Sequence, residues 1–111
     1  MLKKTISERI NESRSIMLNN PNCIPIIFEK ANYNQQLELT KSKFIVSVNI
    51  TIGQLIYIIH KFIKCDRYIS IFIFINGNIP PNSAMIYDVY EQNKNKDGFL
   101  YIKYTTENTF G

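Results

Sequence analysis

Histidine and cysteine are scarce in this chain: His60 is the one histidine, and the two cysteines, Cys23 and Cys65, stand far apart and outside any CxxC or Cys/His cluster. That excludes a histidine-based metal cluster, a two-histidine mechanism and a disulfide framework, and it fits a reducing, intracellular setting in which both thiols are structural. No apolar stretch approaches the roughly 20 residues of a membrane span. Met1 to Asn11 is polar and charged, unlike a signal peptide, so the folded protein is expected to be soluble. Dense basic tracts are also missing. The formal charge of +4 is spread over scattered lysines and arginines, which argues against a nucleic-acid partner. Asp66, Asp88 and Asp97 fall in turns and a helix without a paired-carboxylate arrangement. An enzyme is therefore not expected, and no metal or cofactor is called for.

What is present suits one domain. At 111 residues and 45% hydrophobic content the chain closes one core, not two. Ile6 to Leu18 sets Ile6, Ile10, Ile16 and Met17 among Glu8, Arg9, Glu12 and Arg14, the pattern of an amphipathic helix, and Asn19, Asn20 and Pro21 stop it. Ile24 to Glu29 favours a strand, with Pro25 placing it near a strand start or on an edge. Asn32 to Gln36 is a polar loop. Lys43 to Val48 is a second strand, and the consecutive Phe44, Ile45 and Val46 predict that both of its faces meet something apolar.

Thr51 followed by Gln54 matches a capping box and predicts a helix start. Ile52, Leu55, Ile56, Ile59 and Ile63 recur at helical spacing and face the core, whereas Ile58 and Phe62 form a second strip that needs a cover. Ile71 to Ile75 reads as a buried central strand. Asn76-Gly77 turns the chain into a short strand at Ile79, ended by Pro80 and Pro81. Ser83 is expected to cap a second helix running through Tyr90, and Asp97-Gly98 to turn into a last strand from Phe99 to Tyr104. Two hairpin-like strands, a helix across them and a returning strand make an α+β, ubiquitin-like β-grasp with a helical extension in front.

The residues themselves resemble the autophagy-related protein 8 family, which includes the GABA-receptor-associated protein and the microtubule-associated light chain. The resemblance rests on Ile24-Pro25-Ile26-Ile27 with Glu29-Lys30, on Lys43-Phe44-Ile45-Val46, and on Thr51-Ile52-Gly53-Gln54. It continues with Asn76, Ile79-Pro80-Pro81-Asn82-Ser83-Ala84, Tyr87, Val89-Tyr90, Asp97-Gly98-Phe99-Leu100-Tyr101, Tyr104 and Phe110-Gly111, so nearly the whole chain is covered in order. On this reading residues 1–20 are a helical extension, 21–105 the β-grasp core and 106–111 a flexible conjugation tail.

The resemblance implies a modifier whose terminal Gly111 is activated by ubiquitin-like activating and conjugating enzymes and bonded to the amine of phosphatidylethanolamine. A deconjugating cysteine protease would reverse the bond. Glycine suits the role because the lack of a β-carbon leaves its carboxylate accessible and lets the tail thread a narrow channel. The protein would be cytoplasmic, and on autophagosomal or related membranes when lipidated. As given, the chain needs no trimming beyond Gly111. The resemblance also implies capture of receptors and adaptors carrying an aromatic residue and, three positions on, an aliphatic one, by strand addition.

The implied edge is Lys43 to Val46. The aromatic pocket would use Glu12, Ile16, Pro25, Ile27, Lys43, Ile45 and Phe99; the aliphatic pocket Phe44, Val46, Ile50, Leu55, Ile58 and Phe62; and Lys41 would meet acidic residues flanking the motif. Relatives often have a proline at Ser47 and basic residues at Phe62 and Cys23. The short stretch Met1 to Thr5 leaves little room for the family's first small helix. The changes at Ser47 and Phe62 border the second pocket and predict more tolerance for bulky apolar residues there. Two other readings share these features: a modifier attached to protein lysines, and an unconjugated peptide-binding adaptor.

Overall fold

A computed structural model describes residues 4–31, 39–63 and 70–106. The loop expected at Asn32 to Gln36, together with Cys65, Asp66 and Gly111, lies outside the described residues. The elements run α1 (Ile6–Asn19), β1 (Cys23–Lys30), β2 (Lys43–Ser47), α2 (Ile52–His60), β3 (Ile71–Phe74), α3 (Ile86–Asn93) and β4 (Leu100–Thr106). The sheet order is β2-β1-β4-β3. β1 is antiparallel to β2 and parallel to β4, and β3 is antiparallel to β4. This is the β-grasp arrangement expected from the order of elements.

Both long helices begin in a capping box. At α2 the Gln54 N–H donates to Thr51 Oγ1 at 3.2 Å and the Thr51 N–H to Gln54 Oε1 at 2.8 Å, as the sequence predicts. Thr5 and Glu8 make the same pair of bonds at α1, a signal as plain in the sequence but not read there. Alternation along the strands then sorts the side chains. Ile24, Ile26 and Phe28 of β1, Phe44 and Val46 of β2, and Leu100, Ile102 and Tyr104 of β4 join Ile52, Leu55 and Ile59 of α2 in one buried core. The odd-numbered residues of β1 take the other face, which α1 covers in part, leaving Glu29 exposed.

Several elements differ from expectation. β3 stands at the end of the sheet rather than in its centre, because β4 inserts between it and β1. Ile71 and Ile73 are buried but Phe72 and Phe74 only half so, which explains an unbroken apolar run on an outer strand. Ile79 is exposed and forms no strand; the turn closes on the single Ile75–Asn78 bridge, with Asn76 and Gly77 both at positive φ.

The second short helix starts at Ile86, with Met85 and not Ser83 at its N-cap. The carbonyls of Asn82 and Ala84 accept from Gly53 and Ile52 at 2.9 Å each, and that holds this stretch extended against the start of α2. α2 itself stops at His60, short of Ile63. Phe62 O is taken by the Thr40 N–H at 2.6 Å, and Ile63 bridges to Leu39 instead. Pro25 lies near the start of β1, but β1 is an inner strand. The Phe28 N–H donates to Ser42 O, just before β2, so by alternation the proline nitrogen faces β4, whose pairing with β1 begins only at Ile26.

Candidate functional site

β2 ends one side of the sheet, which makes its outer edge the natural place to look for strand addition. Its even-numbered residues bond to β1, bracketed by Phe28 N–H to Ser42 O at 2.8 Å and Val48 N–H to Asn22 O at 2.9 Å. The alternation of an antiparallel ladder therefore points the main-chain groups of Lys43 and Ile45 away from the sheet. The burial pattern alternates with the same period: Lys43 and Ile45 are exposed, Phe44 and Val46 buried.

On the α1 side, Lys43 stands opposite Ile27 and Ile45 opposite Pro25. Lys43 Nζ lies 2.7 Å from Glu12 Oε2 of α1 and 6.0 Å from the Phe99 ring centroid. Glu12 also receives Lys4 Nζ at 2.8 Å. These bonds, from Lys4 first and Lys43 second, hold the Glu12 carboxyl below its usual range. Ile16 follows one helical turn after Glu12 and is half-buried. Ile45 is 48% exposed, whereas Pro25 and Phe99 are closed from solvent and form the floor.

The second set lies on the opposite face of β2. Phe44 packs edge-to-face on Phe62 at 4.9 Å and on Phe28 at 5.2 Å. Ile50, Ile58 and Phe62 are half-buried beside it, Val46 is buried, and Leu55 is wholly enclosed beneath them. Lys41 Nζ sits 4.6 Å from the Phe44 ring and 4.9 Å from the Phe62 ring, a cation–π contact with both. Thus the two residue groups named from sequence flank one strand on opposite faces. A chain laid along that edge would direct alternate side chains to each.

A further group was not read from sequence. Asp97 is shut from solvent and accepts from Arg9 Nε at 3.0 Å, from the Tyr101 hydroxyl at 2.5 Å and from the Phe99 N–H at 2.9 Å. Burial pushes its carboxyl up, but the bonds from Tyr101, Phe99, Asn95 and Arg9 outweigh this and hold it below its ordinary value. Burial and then the Asp97 bond push the Tyr101 phenol up to about 12. Ser13 Oγ donates to Asp97 O at 2.5 Å, and Tyr90 OH to Gly98 O at 2.6 Å. The cluster fastens α1, and with it Glu12 and Ile16, to the sheet. The available signal was an aspartate two residues before Phe99 in a turn, where its side chain can cap the backbone.

Among the described residues no group of histidine, cysteine, aspartate or glutamate is placed to hold a metal, and no helix is long and apolar enough to cross a membrane. Cys23 is a free thiol.

Residues 8–111 match the family model described as autophagy protein Atg8, ubiquitin like. Autophagy-related protein 8 of Vanderwaltozyma polyspora is 44% identical over 109 residues, covering 98% of this chain and 87% of the relative. Autophagy-related protein 8a of Arabidopsis thaliana is 37% identical over 110 residues, covering 99% and 90%. Among solved structures, Trypanosoma brucei ATG8 superposes with a TM-score of 0.87 at 33% identity, covering 95% of this chain and 90% of that one. Plasmodium falciparum Atg8, in complex with a Plasmodium falciparum Atg3 peptide, gives 0.80 at 28% identity, covering 95% and 96%.

Proposed function

The chain belongs to the Atg8 family of autophagy-related ubiquitin-like modifiers, and from that premise we propose that it is conjugated through Gly111 to phosphatidylethanolamine and recruits partners through the β2 edge. The observation that carries the second half is the strand at the end of the sheet, with the main chain of Lys43 and Ile45 turned outward and the two side-chain groups on its opposite faces. An incoming strand gains register from main-chain bonds and specificity from alternate pockets. Each anchor contributes about 1.5 to 3 kcal/mol by burial, before ordering costs are met, so the expected affinity is micromolar.

Partners on this reading are the activating and conjugating enzymes, a deconjugating cysteine protease, and receptors or adaptors with the aromatic-x-x-aliphatic motif. The Plasmodium falciparum relative is in complex with an Atg3 peptide. A segment of an Atg3-type conjugating enzyme is accordingly a proposed occupant of the same edge here. Lipidation at Gly111 would move the protein from the cytoplasm to autophagosomal or related membranes, with no catalytic role of its own; Thr106, expected in the tail, is instead the last residue of β4 and pairs with Ile71.

The test is intact mass after incubation with the family's activating and conjugating enzymes, ATP and liposomes containing phosphatidylethanolamine. The expected result is a lipid-sized increase that disappears in Gly111→Ala, while that variant still binds motif peptide. No increase beside a working control modifier refutes lipid conjugation. An increase equal to a protein substrate would transfer the role to lysine modification, and peptide binding with no conjugation would leave an adaptor. In a peptide panel, the changes at Ser47 and Phe62 predict more tolerance for bulky apolar residues in the second pocket; equal binding of standard and bulky peptides refutes that.

A further inference from the structure

The β4–β3 half of the sheet carries a cavity that the proposed peptide edge does not use. It is an open depression of about 630 Å³ between Arg9 of α1, Asn76 of the β3 turn, Asn93 and Lys94 at the end of α3, Asn95 in the following loop and Tyr101 of β4. Its walls are rich in donors. Arg9 has five N–H groups, of which Asp97 and the Lys4 carbonyl account for two. Lys94 Nζ lies 3.3 Å from Glu91 and 5.5 Å from the Tyr90 ring centroid, and both side chains of the ion pair are nearly half exposed, so the ammonium stays open to solvent.

Several of the acceptors that border the cavity are already bonded, and the Glu91 carboxylate is held by Lys94. Asp97 is sealed behind Arg9 and Tyr101. At the end of α3, Val89 O accepts from Asn93 Nδ2 at 2.9 Å and Tyr90 O from the Lys94 N–H at 2.8 Å. Asn76 Nδ2 donates to Asn93 Oδ1 at 2.8 Å, which holds both amides in place at the rim. Across the shared Asn76 and Tyr101, the cavity opens into a groove of about 470 Å³ bordered by Phe74, Glu29 and Lys103. That groove offers an aromatic surface with one cation, Lys103, beside one carboxylate, Glu29.

We propose that this cavity binds a phosphate monoester, with the phosphoryl oxygens between Arg9, Lys94 and the asparagine amides and the body of the ligand against Phe74. Donors converge here from side chains on separate elements onto a concave space, which suits a compact anion with several acceptor oxygens better than an extended acidic peptide. The monoester belongs either to a soluble metabolite or to a lipid headgroup.

The experiment is nuclear magnetic resonance of the isotope-labelled full chain, following Arg9 Nε–H and the side-chain amides of Asn76, Asn93 and Asn95. The probes are inorganic phosphate, adenosine monophosphate, and phosphatidylcholine vesicles with and without phosphatidylinositol 4-phosphate. Saturable shifts at these groups are expected at about millimolar phosphate. Lys94→Glu, at an exposed position, is expected to weaken binding about tenfold. Asn76→Asp keeps a residue type that tolerates positive φ, sets a carboxylate at the rim and should weaken binding likewise. Unchanged backbone shifts elsewhere report that both variants fold. A response to adenosine monophosphate assigns a soluble ligand, and a response confined to the phosphoinositide vesicles assigns a lipid. The proposal is overturned by the absence of saturable shifts with every probe, by an equal response in Lys94→Glu, or by shifts with an oligo-aspartate peptide but not with phosphate.

Discussion

Asp97 concentrates more of the molecule's order than any other polar side chain described, since Arg9, Tyr101 and the Phe99 N–H all converge on its carboxylate. Asp97→Ala is expected to cost about 2 kcal/mol in urea unfolding, below the figure for a fully enclosed pair because the Arg9 side chain is one-third exposed. The carboxyl is held below its ordinary value, so its charge-linked stability is present above the unfolded-state pKa near 4 and is lost as pH falls through the lower folded value. The gap between wild type and variant should therefore narrow in acid. Tyr101 has the opposite sign. Its phenol is pushed up from 10.0 to about 12, so its contribution is complete below pH 10 and lost as the pH rises through the folded value. Tyr101→Phe should flatten that alkaline loss in a pH series of unfolding curves.

Among the elements, the turn between α3 and β4 and the start of α2 make the sharpest demands on single residues. Gly98 has a φ of +90°, and a Cβ there would lie 2.4 Å from Ser13 Oγ and 3.1 Å from Ser13 Cβ. Gly98→Ala is expected to cost about 3 kcal/mol, from backbone strain and from pushing α1 off the turn. Adding Ser13→Gly should restore only part of this in thermal unfolding, because it relieves the clash and leaves the strain. Thr51→Ala removes the side-chain acceptor at the start of α2 and should cost about 1 kcal/mol in the same assay. The Thr51 box was legible because its two partners are three residues apart. The start of α3 was not, since it depends on Asn82 and Ala84 bonding to Gly53 and Ile52, residues far away in the chain.

For the whole molecule, α1 is both a wall of the proposed peptide site and the cover of the sheet's second face. Removing residues 1–20 would expose Pro25, Ile27 and Phe99 and leave Asp97 without Arg9. The expected result is a loss of at least about 3 kcal/mol and faster hydrogen exchange at the start of β4. Retention of full stability in the truncated chain would show that the extension is an appendage. The peptide face therefore depends on the same contacts that hold the fold, and the Glu12–Lys43 pair at 2.7 Å links the two.

Apart from the short strand expected at Ile79, the order of helices and strands, the Asn76-Gly77 turn and the Thr51 capping box were determined by the sequence alone. Each is written in residues a few positions apart, where hydrophobic period and turn chemistry act locally. Which strand lies at the sheet's end, where α2 stops, how deeply Leu55 and Phe99 are enclosed and what Asp97 holds were decided only by the tertiary structure. Those outcomes come from pairings between distant segments, such as β1 with β4, Thr40 with Phe62 and Arg9 with Asp97. The physical reason is that local propensity sets what a segment can form, while the competition for backbone partners and buried volume sets where it stops and what it touches.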